Sequence, residues 1–172
     1  MSQSFFSAQQ IDQTDNDKPA EFLISADDIF SSKIKGYEKF AAILHTSNAF
    51  SRSVMYNGNK ITEATLNAEE LKVEMLQGCH CAMLLGRLAK SVVISKITIL
   101  STQLIKGKRI ELYKKEFSKC VLQTYSEQDD ICSFSARFNA LNVSYENLKP
   151  DGTKQGNAAA KIDLLKWKVD SK

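Results

Sequence analysis

The chain has 172 residues, of which 43% are hydrophobic and 25% are charged, and its net charge is +3. This composition excludes wholesale disorder and fits one domain with a buried core. The small positive surplus gives no reason to expect binding to nucleic acid or to an anionic membrane. No apolar run approaches the length of about 18 to 20 residues that spans a bilayer, so we expect no membrane insertion.

The first twenty residues are polar and include an acidic tract. They predict a flexible N-terminal arm over residues 1–20, followed by a single domain over residues 21–172. The first ten residues contain no Lys or Arg and no apolar stretch of the kind found in secretory signal peptides. We therefore expect a cytoplasmic protein whose four cysteines remain reduced.

The first half of the domain shows apolar residues at every second position, a period typical of β-strands with one buried face. It predicts strands over residues 22–26 and residues 40–45. Residues 50–68 are polar and contain Asn57-Gly58, and Asn-Gly is a turn or hairpin signal. We interpret residues 50–68 as an extended loop or β-arm.

A strand over residues 71–76 is predicted next, and then the period changes. Between residues 79 and 90 the apolar side chains fall at three- and four-residue steps, which predicts one amphipathic helix of about three turns. The helix is expected to turn one apolar face to the core, formed by Ala82, Met83, Leu85, Leu88 and Ala89.

The second half of the domain returns to the β period and ends in a predicted strand over residues 165–170. Lys106-Gly107-Lys108 predicts a hairpin turn, and residues 126–130 predict a polar turn. After Phe138 the apolar side chains change from even to odd positions, which predicts a β-bulge near residues 139–141. Lys149-Pro150-Asp151-Gly152 predicts a further turn, because Pro fixes φ and Asp-Gly tolerates positive φ.

These elements together predict a mainly β fold. We count eight or nine short strands, one short helix and no βαβ alternation. This pattern favours an antiparallel β-barrel or sandwich with a single α-helix at one edge or end.

No catalytic or nucleotide-binding motif is present in the sequence, which lacks G-x-S-x-G, H-E-x-x-H, Walker A and G-x-G-x-x-G patterns. Cys79-His80-Cys81 has a closer spacing than zinc ligands usually have, and we interpret it as small buried residues entering the helix. A nucleophilic pair of Cys79 or Cys81 with His45 is the enzymatic alternative. We expect no enzyme and no catalytic, cofactor or metal site, and action through surfaces instead.

One stretch carries a resemblance to a known family. An alternating strand runs from Ser133 to Tyr145 and is followed by the Asp-Gly turn at Asp151-Gly152. Upstream, the strand at 71–75, the helix at 79–90 and the strand containing Ile97-Thr98-Ile99 follow in the same order and spacing as in that family. Over roughly residues 21–165 the sequence resembles the Hcp family (hemolysin-coregulated protein), the inner-tube subunit of type VI secretion systems.

The resemblance implies a non-enzymatic, secreted tube protein. Six copies would form a ring, and rings would stack into a tube that a contracting sheath expels to the medium or a target cell without a signal peptide. Its partners would be further copies of itself, the sheath, spike and baseplate proteins, and effectors carried in the lumen. In the family an extended loop contacts the next ring, and residues 50–68 are the corresponding segment here. The resemblance therefore implies these ring-stacking candidates: Arg52, Met55, Tyr56, Asn57, Asn59 and Lys60.

Two alternatives remain open at this point. A phage-like tail tube subunit shares the fold and acts outside type VI secretion. A monomeric β-sandwich binding module would act alone and would present a small exposed apolar patch.

Overall fold

A computed structural model describes residues 17–149, 152–165 and 168–171 of the chain. The described residues form twelve β-strands and one α-helix, α1 (His80–Ala89). The strands are β1 (Asp17–Ala26), β2 (Ala41–Ile43), β3 (His45–Ser47), β4 (Phe50–Asn57), β5 (Lys60–Ala68), β6 (Leu71–Leu76), β7 (Ile94–Ile105), β8 (Lys108–Gln128), β9 (Ile131–Arg137), β10 (Ala140–Leu148), β11 (Lys154–Asp163) and β12 (Lys168–Ser171).

The strands close into an antiparallel barrel around the long strand β8. One edge of β8 pairs with β7, and the other pairs with β9 and then with β10. From β7 the sheet continues through β1 to β2, and from β9 it continues through β6 to β3. Only Leu44 separates β2 from β3, and its N–H donates to the Glu74 carbonyl at 2.8 Å. This connection between β2 and β3 closes the sheet into a barrel. The prediction of a mainly β fold with one short helix is confirmed.

Alternating side chains fill the barrel as the sequence pattern predicts. Along β6, the side chains of Leu71, Val73 and Met75 are buried, whereas Lys72 and Glu74 are exposed. The buried residues of β9 lie opposite them, since the two strands pair from Leu71 to Leu76. Period-2 patterning therefore places the core inside the barrel, where burial of apolar surface stabilises the closed sheet.

The turn between β7 and β8 has the conformation that its sequence favours. Ile105 pairs with Lys108, which leaves Lys106 and Gly107 as the two turn residues. Their φ angles are +48° and +74°. A two-residue turn with both φ angles positive matches the right-handed twist of the flanking strands, and the predicted hairpin is confirmed.

The predicted bulge near residues 139–141 is a break between two strands. β9 ends at Arg137 and β10 begins at Ala140, yet both pair with the same edge of β8, and the register does not shift across the break between them. The side chains of Phe138 and Leu141 are both buried, so the parity does change. The Asn139 N–H still donates to the Ser118 carbonyl at 3.0 Å. The register shift itself lies on the partner strand β8, between Leu122 and Thr124.

The face that α1 turns to the core differs from the predicted face. Cys81 and Leu84 are its buried residues, whereas Leu85 is 51% exposed and Met83 is 41% exposed. Because side chains three and seven residues apart share a helix face, the inward stripe runs through Cys81, Leu84 and the half-buried Leu88. The prediction that Ala82, Met83, Leu85 and Ala89 face the core was wrong.

Among the described residues, no helix has the length and apolarity needed to cross a bilayer.

Leu84→Ala is expected to lower the free energy of unfolding by about 3 kcal/mol, because it leaves a cavity under α1. Leu85→Ala is the matched control, since the neighbouring leucine is half exposed, and we expect it to change stability by less than about 0.5 kcal/mol. Urea unfolding of both variants measures the difference. Equal losses would contradict the assigned helix face.

The C-terminal strands differ from the single strand predicted at residues 165–170. β12 begins at Lys168 and pairs with β11, which pairs in turn with β10, so three strands extend the sheet beyond the barrel. Trp167 and the central residues of the predicted Pro150-Asp151 turn lie outside the described residues. At the other end, β1 begins at Asp17, inside the predicted arm, whereas residues 1–16 are not described.

Candidate functional site

The predicted β-arm is a two-stranded hairpin. β4 and β5 pair with each other in a small sheet of their own. Phe50 and Ala68, at its base, pack against the core, and the Phe50 ring meets Phe138 edge-on with 6.2 Å between the ring centroids. The Glu69 N–H donates to the Ala49 carbonyl at 2.8 Å and closes the base. The hairpin is thus attached to the barrel at its base.

The far end of the hairpin is shaped by a tight turn and a bulge. Asn57 pairs with Lys60, and Gly58 in the turn has a φ of +60°. The register shifts between Met55 and Tyr56 on β4, so Thr62 on β5 has no direct partner. The Thr62 hydroxyl donates to the Met55 carbonyl at 3.2 Å. A bulge of this kind increases the local twist and re-aims the side chains beyond it.

Three large apolar side chains near this turn are exposed. Met55 is 61% exposed, Tyr56 is 66% exposed and Ile61 is 63% exposed. Tyr56 and Ile61 lie directly opposite each other across the two strands. We call these three residues the hairpin tip. Because a two-stranded hairpin alone is marginal in water, an apolar tip that the chain itself leaves exposed points to contact with another molecule.

All six predicted site residues lie on this hairpin and are exposed. Their role in ring stacking remains a prediction, because position alone does not establish it. Ile61 was missed by the sequence reasoning. Its signal was a β-branched residue just beyond the turn, two positions after Asn59. The six occupy β4, the turn and the start of β5: Arg52, Met55, Tyr56, Asn57, Asn59 and Lys60.

The cysteines and histidines meet in an arrangement that the sequence did not predict. His80 and Cys81 at the start of α1 lie beside Cys132 of β9, and their ligand atoms are all within 4.8 Å of one another. Within the described part of the chain, this group does not include His45, and Cys79 is exposed. Cys132 was missed because it lies 51 positions after Cys81 in the sequence, and the pairing of β9 with β6 and β8 brings it to the helix.

The environment of the buried thiols does not favour nucleophilic chemistry. Burial raises the pKa of Cys132 to about 12 and that of Cys120 to about 12. Burial also lowers the pKa of His80, partly offset by its hydrogen bond to the Leu76 carbonyl. Since the thiolate is the reactive form of cysteine, these two thiols are weak nucleophiles at neutral pH.

Comparison by sequence does not place the chain in a family. No sequence model of a protein family matches it, and no curated protein sequence matches it.

Comparison by structure finds close counterparts. A solved structure described as a type six secretion system protein is 12% identical in sequence, with a TM-score of 0.77 over 88% of this chain and 100% of that one. Hcp1 from Salmonella typhimurium is 14% identical, with a TM-score of 0.68 over 88% of this chain and 99% of that one. The secreted protein Hcp3 from Pseudomonas aeruginosa is 12% identical, with a TM-score of 0.53 over 81% of this chain and 95% of that one. The chain therefore has an Hcp-like fold at low sequence identity.

Proposed function

We propose that this chain is a structural subunit of a type VI secretion inner tube, forming hexameric rings that stack through the hairpin. The observation that carries the proposal is the exposed apolar hairpin tip on a barrel with the Hcp-like fold. A contact between two different surfaces of identical subunits generates a closed ring when the rotation closes, and a repeated axial contact generates a tube.

The composition of the hairpin suits a contact between rings. Met55 and Tyr56 are residue types enriched in the buried centres of protein interfaces, and Ile61, the cross-strand partner of Tyr56, adds apolar area beside it. About two thirds of each side chain is exposed in the free subunit, so burying that part contributes about 1–2 kcal/mol per side chain. Every ring repeats the contact in each subunit, so weak single contacts add up to a strong stacking interaction. The polar candidates are exposed residues before and after the apolar ones along the hairpin, where they would form the rim of such an interface: Arg52, Asn57, Asn59 and Lys60.

The same proposal specifies partners and location. Such a subunit is made in the cytoplasm and leaves the cell inside the contractile assembly. Sheath, spike and baseplate proteins are its partners beside further copies of itself, and the ring lumen carries effectors. It acts without catalysis.

The assembly state tests the proposal. The purified chain, measured by light scattering over a range of concentrations and imaged by negative-stain electron microscopy, is expected to give six-subunit rings with a central hole. A monomer at every concentration, which also fails to add to preformed spike and baseplate complexes, would contradict it and favour a binding module. Rings that a strain with an active type VI system does not export would instead favour a phage-like tail tube.

A further inference from the structure

A cluster of metal-ligating side chains lies where α1 meets the barrel. The ligand atoms of His80, Cys81 and Cys132 are all within 4.8 Å of one another. His80 Nε2 lies 3.8 Å from Cys132 Sγ. The proposed stacking of rings through the hairpin does not explain why these three side chains lie together.

Three separate elements hold the cluster in place. His80 and Cys81 begin α1, and the Cys81 N–H donates to the Gly78 carbonyl at 3.0 Å in the turn that precedes it. The His80 ring packs against Phe30 with 5.6 Å between the ring centroids. Cys132 has no exposed surface and is paired within the sheet between β6 and β8. The side chains therefore converge from fixed backbone positions.

The separations fit a small soft cation. Zinc–sulfur bonds of about 2.3 Å and zinc–nitrogen bonds of about 2.0–2.1 Å place tetrahedral ligand atoms about 3.6 Å apart. The distance of 3.8 Å between His80 Nε2 and Cys132 Sγ is close to this expected distance between two zinc ligands. Thiolate and imidazole ligands select zinc over Mg²⁺ or Ca²⁺, which take oxygen ligands.

Burial of cysteine alone does not produce such a cluster in this protein. Cys120 is equally buried, but its thiol donates to the Phe117 carbonyl at 3.4 Å, within its own strand. By contrast, Cys132 Sγ lies against the His80 ring nitrogen, on a different element. The cluster thus differs from the ordinary packing of a buried thiol.

We propose that His80 Nε2, Cys81 Sγ and Cys132 Sγ bind one Zn²⁺ ion, with water in the fourth position. Binding releases the two thiol protons, and both sulfur atoms coordinate as thiolates. The metal replaces the hydrogen bond between His80 Nε2 and the Leu76 carbonyl, at 3.1 Å, and leaves the ring proton on Nδ1. The bound ion ties the start of α1 to β9.

Acidic and phenolic groups lie beside the proposed site on β8. Glu127 pairs directly with Cys132 across the β8–β9 ladder, so the two side chains share a face of the sheet. The Tyr125 hydroxyl donates to the Glu127 carboxylate. This carboxylate adds negative charge next to a cation and can accept a hydrogen bond from the metal-bound water, as outer-shell groups do in zinc sites.

Cobalt binding to the tag-free, fully reduced chain tests the proposal. After removal of metals by a chelator, Co²⁺ is expected to bind in a 1:1 ratio, with the visible bands of a tetrahedral site and a thiolate-to-metal charge-transfer band. Zn²⁺ should displace it and raise the melting temperature. Cys81→Ser and Cys132→Ser are each expected to remove the charge-transfer intensity of one sulfur and to weaken binding at least about tenfold.

The neighbouring cysteine provides the matched control. Cys79→Ser changes an exposed thiol in the same tripeptide and is expected to leave cobalt binding unchanged. Because Cys132→Ser alters a fully buried position, His80→Gln serves as a second variant, and it should weaken binding while the sheet remains intact by circular dichroism. A wild-type chain with no thiolate band and no thermal shift in Zn²⁺ would overturn the proposal. So would a Cys79→Ser variant that loses binding.

Discussion

The double substitution Tyr56→Ser and Ile61→Ser, which changes two of the three hairpin-tip residues, is expected to leave rings intact and to abolish most of their stacking. The two side chains face each other at the end of the hairpin and are 66% and 63% exposed. Losing the burial of this exposed part in each contact removes about 2–4 kcal/mol per subunit. The length distribution of stacks in electron micrographs, at matched concentration, measures the effect.

Leu165→Ser is the control for this double substitution. Leu165 is 67% exposed and lies in the turn after β11. This turn is near the base of the hairpin and not at its tip, since Leu164 lines one pocket with Leu66 and Ala68. Its backbone N–H donates to the Asp163 carboxylate, a bond that the substitution leaves in place. Stacking should survive in this variant. Loss of the rings themselves in the tip variant, with the subunit still folded, would contradict the role assigned to the hairpin.

Phe117→Ala is expected to be among the most destabilising single substitutions, at about 3–5 kcal/mol of unfolding free energy. Its ring is fully buried and meets the Phe138 ring edge-on, with 4.8 Å between the centroids. Phe117 also lies on β8 directly between Ile97 of β7 and Leu141 of β10, where the barrel joins the strands that extend beyond it. Truncation therefore leaves a cavity that three strands line.

Thermal unfolding checks this prediction, with a drop of roughly 10 °C expected for a chain of this size. Phe117→Leu is the matched control, because it keeps most of the volume, and it should cost less than about 1.5 kcal/mol. A melting temperature for Phe117→Ala within the error of wild type would show that this part of the core is not as closely packed as the structure has it.

The sequence was most informative where one face of an element is buried. The alternation at residues 71–76 and the two-residue turn at Lys106-Gly107 follow directly from local chemistry, and both were predicted correctly. The hairpin was predictable from Asn57-Gly58 for the same reason. In each case neighbouring residues decide the local conformation, so the chain need not be folded to interpret the pattern.

The errors arose where tertiary contacts decide the outcome. α1 has leucines on two sides, at Leu84 and Leu85, and only the barrel beneath it determines which one is buried. β11 was missed because Gly156-Asn157-Ala158 has little intrinsic strand preference, and pairing with β10 imposes its conformation. The group of His80, Cys81 and Cys132 depends on the pairing of distant strands, so spacing along the chain could not reveal it.

The most direct test of the central claim is a photo-cross-linking measurement at the hairpin turn. A photoreactive amino acid at Asn59, which is exposed in the turn, reports what the hairpin touches in assembled material. Stacking through the hairpin predicts a light-dependent covalent dimer, in which mass spectrometry joins residue 59 to a peptide of a second copy. Assembled tubes that give only cross-links within one chain, or none, would contradict it.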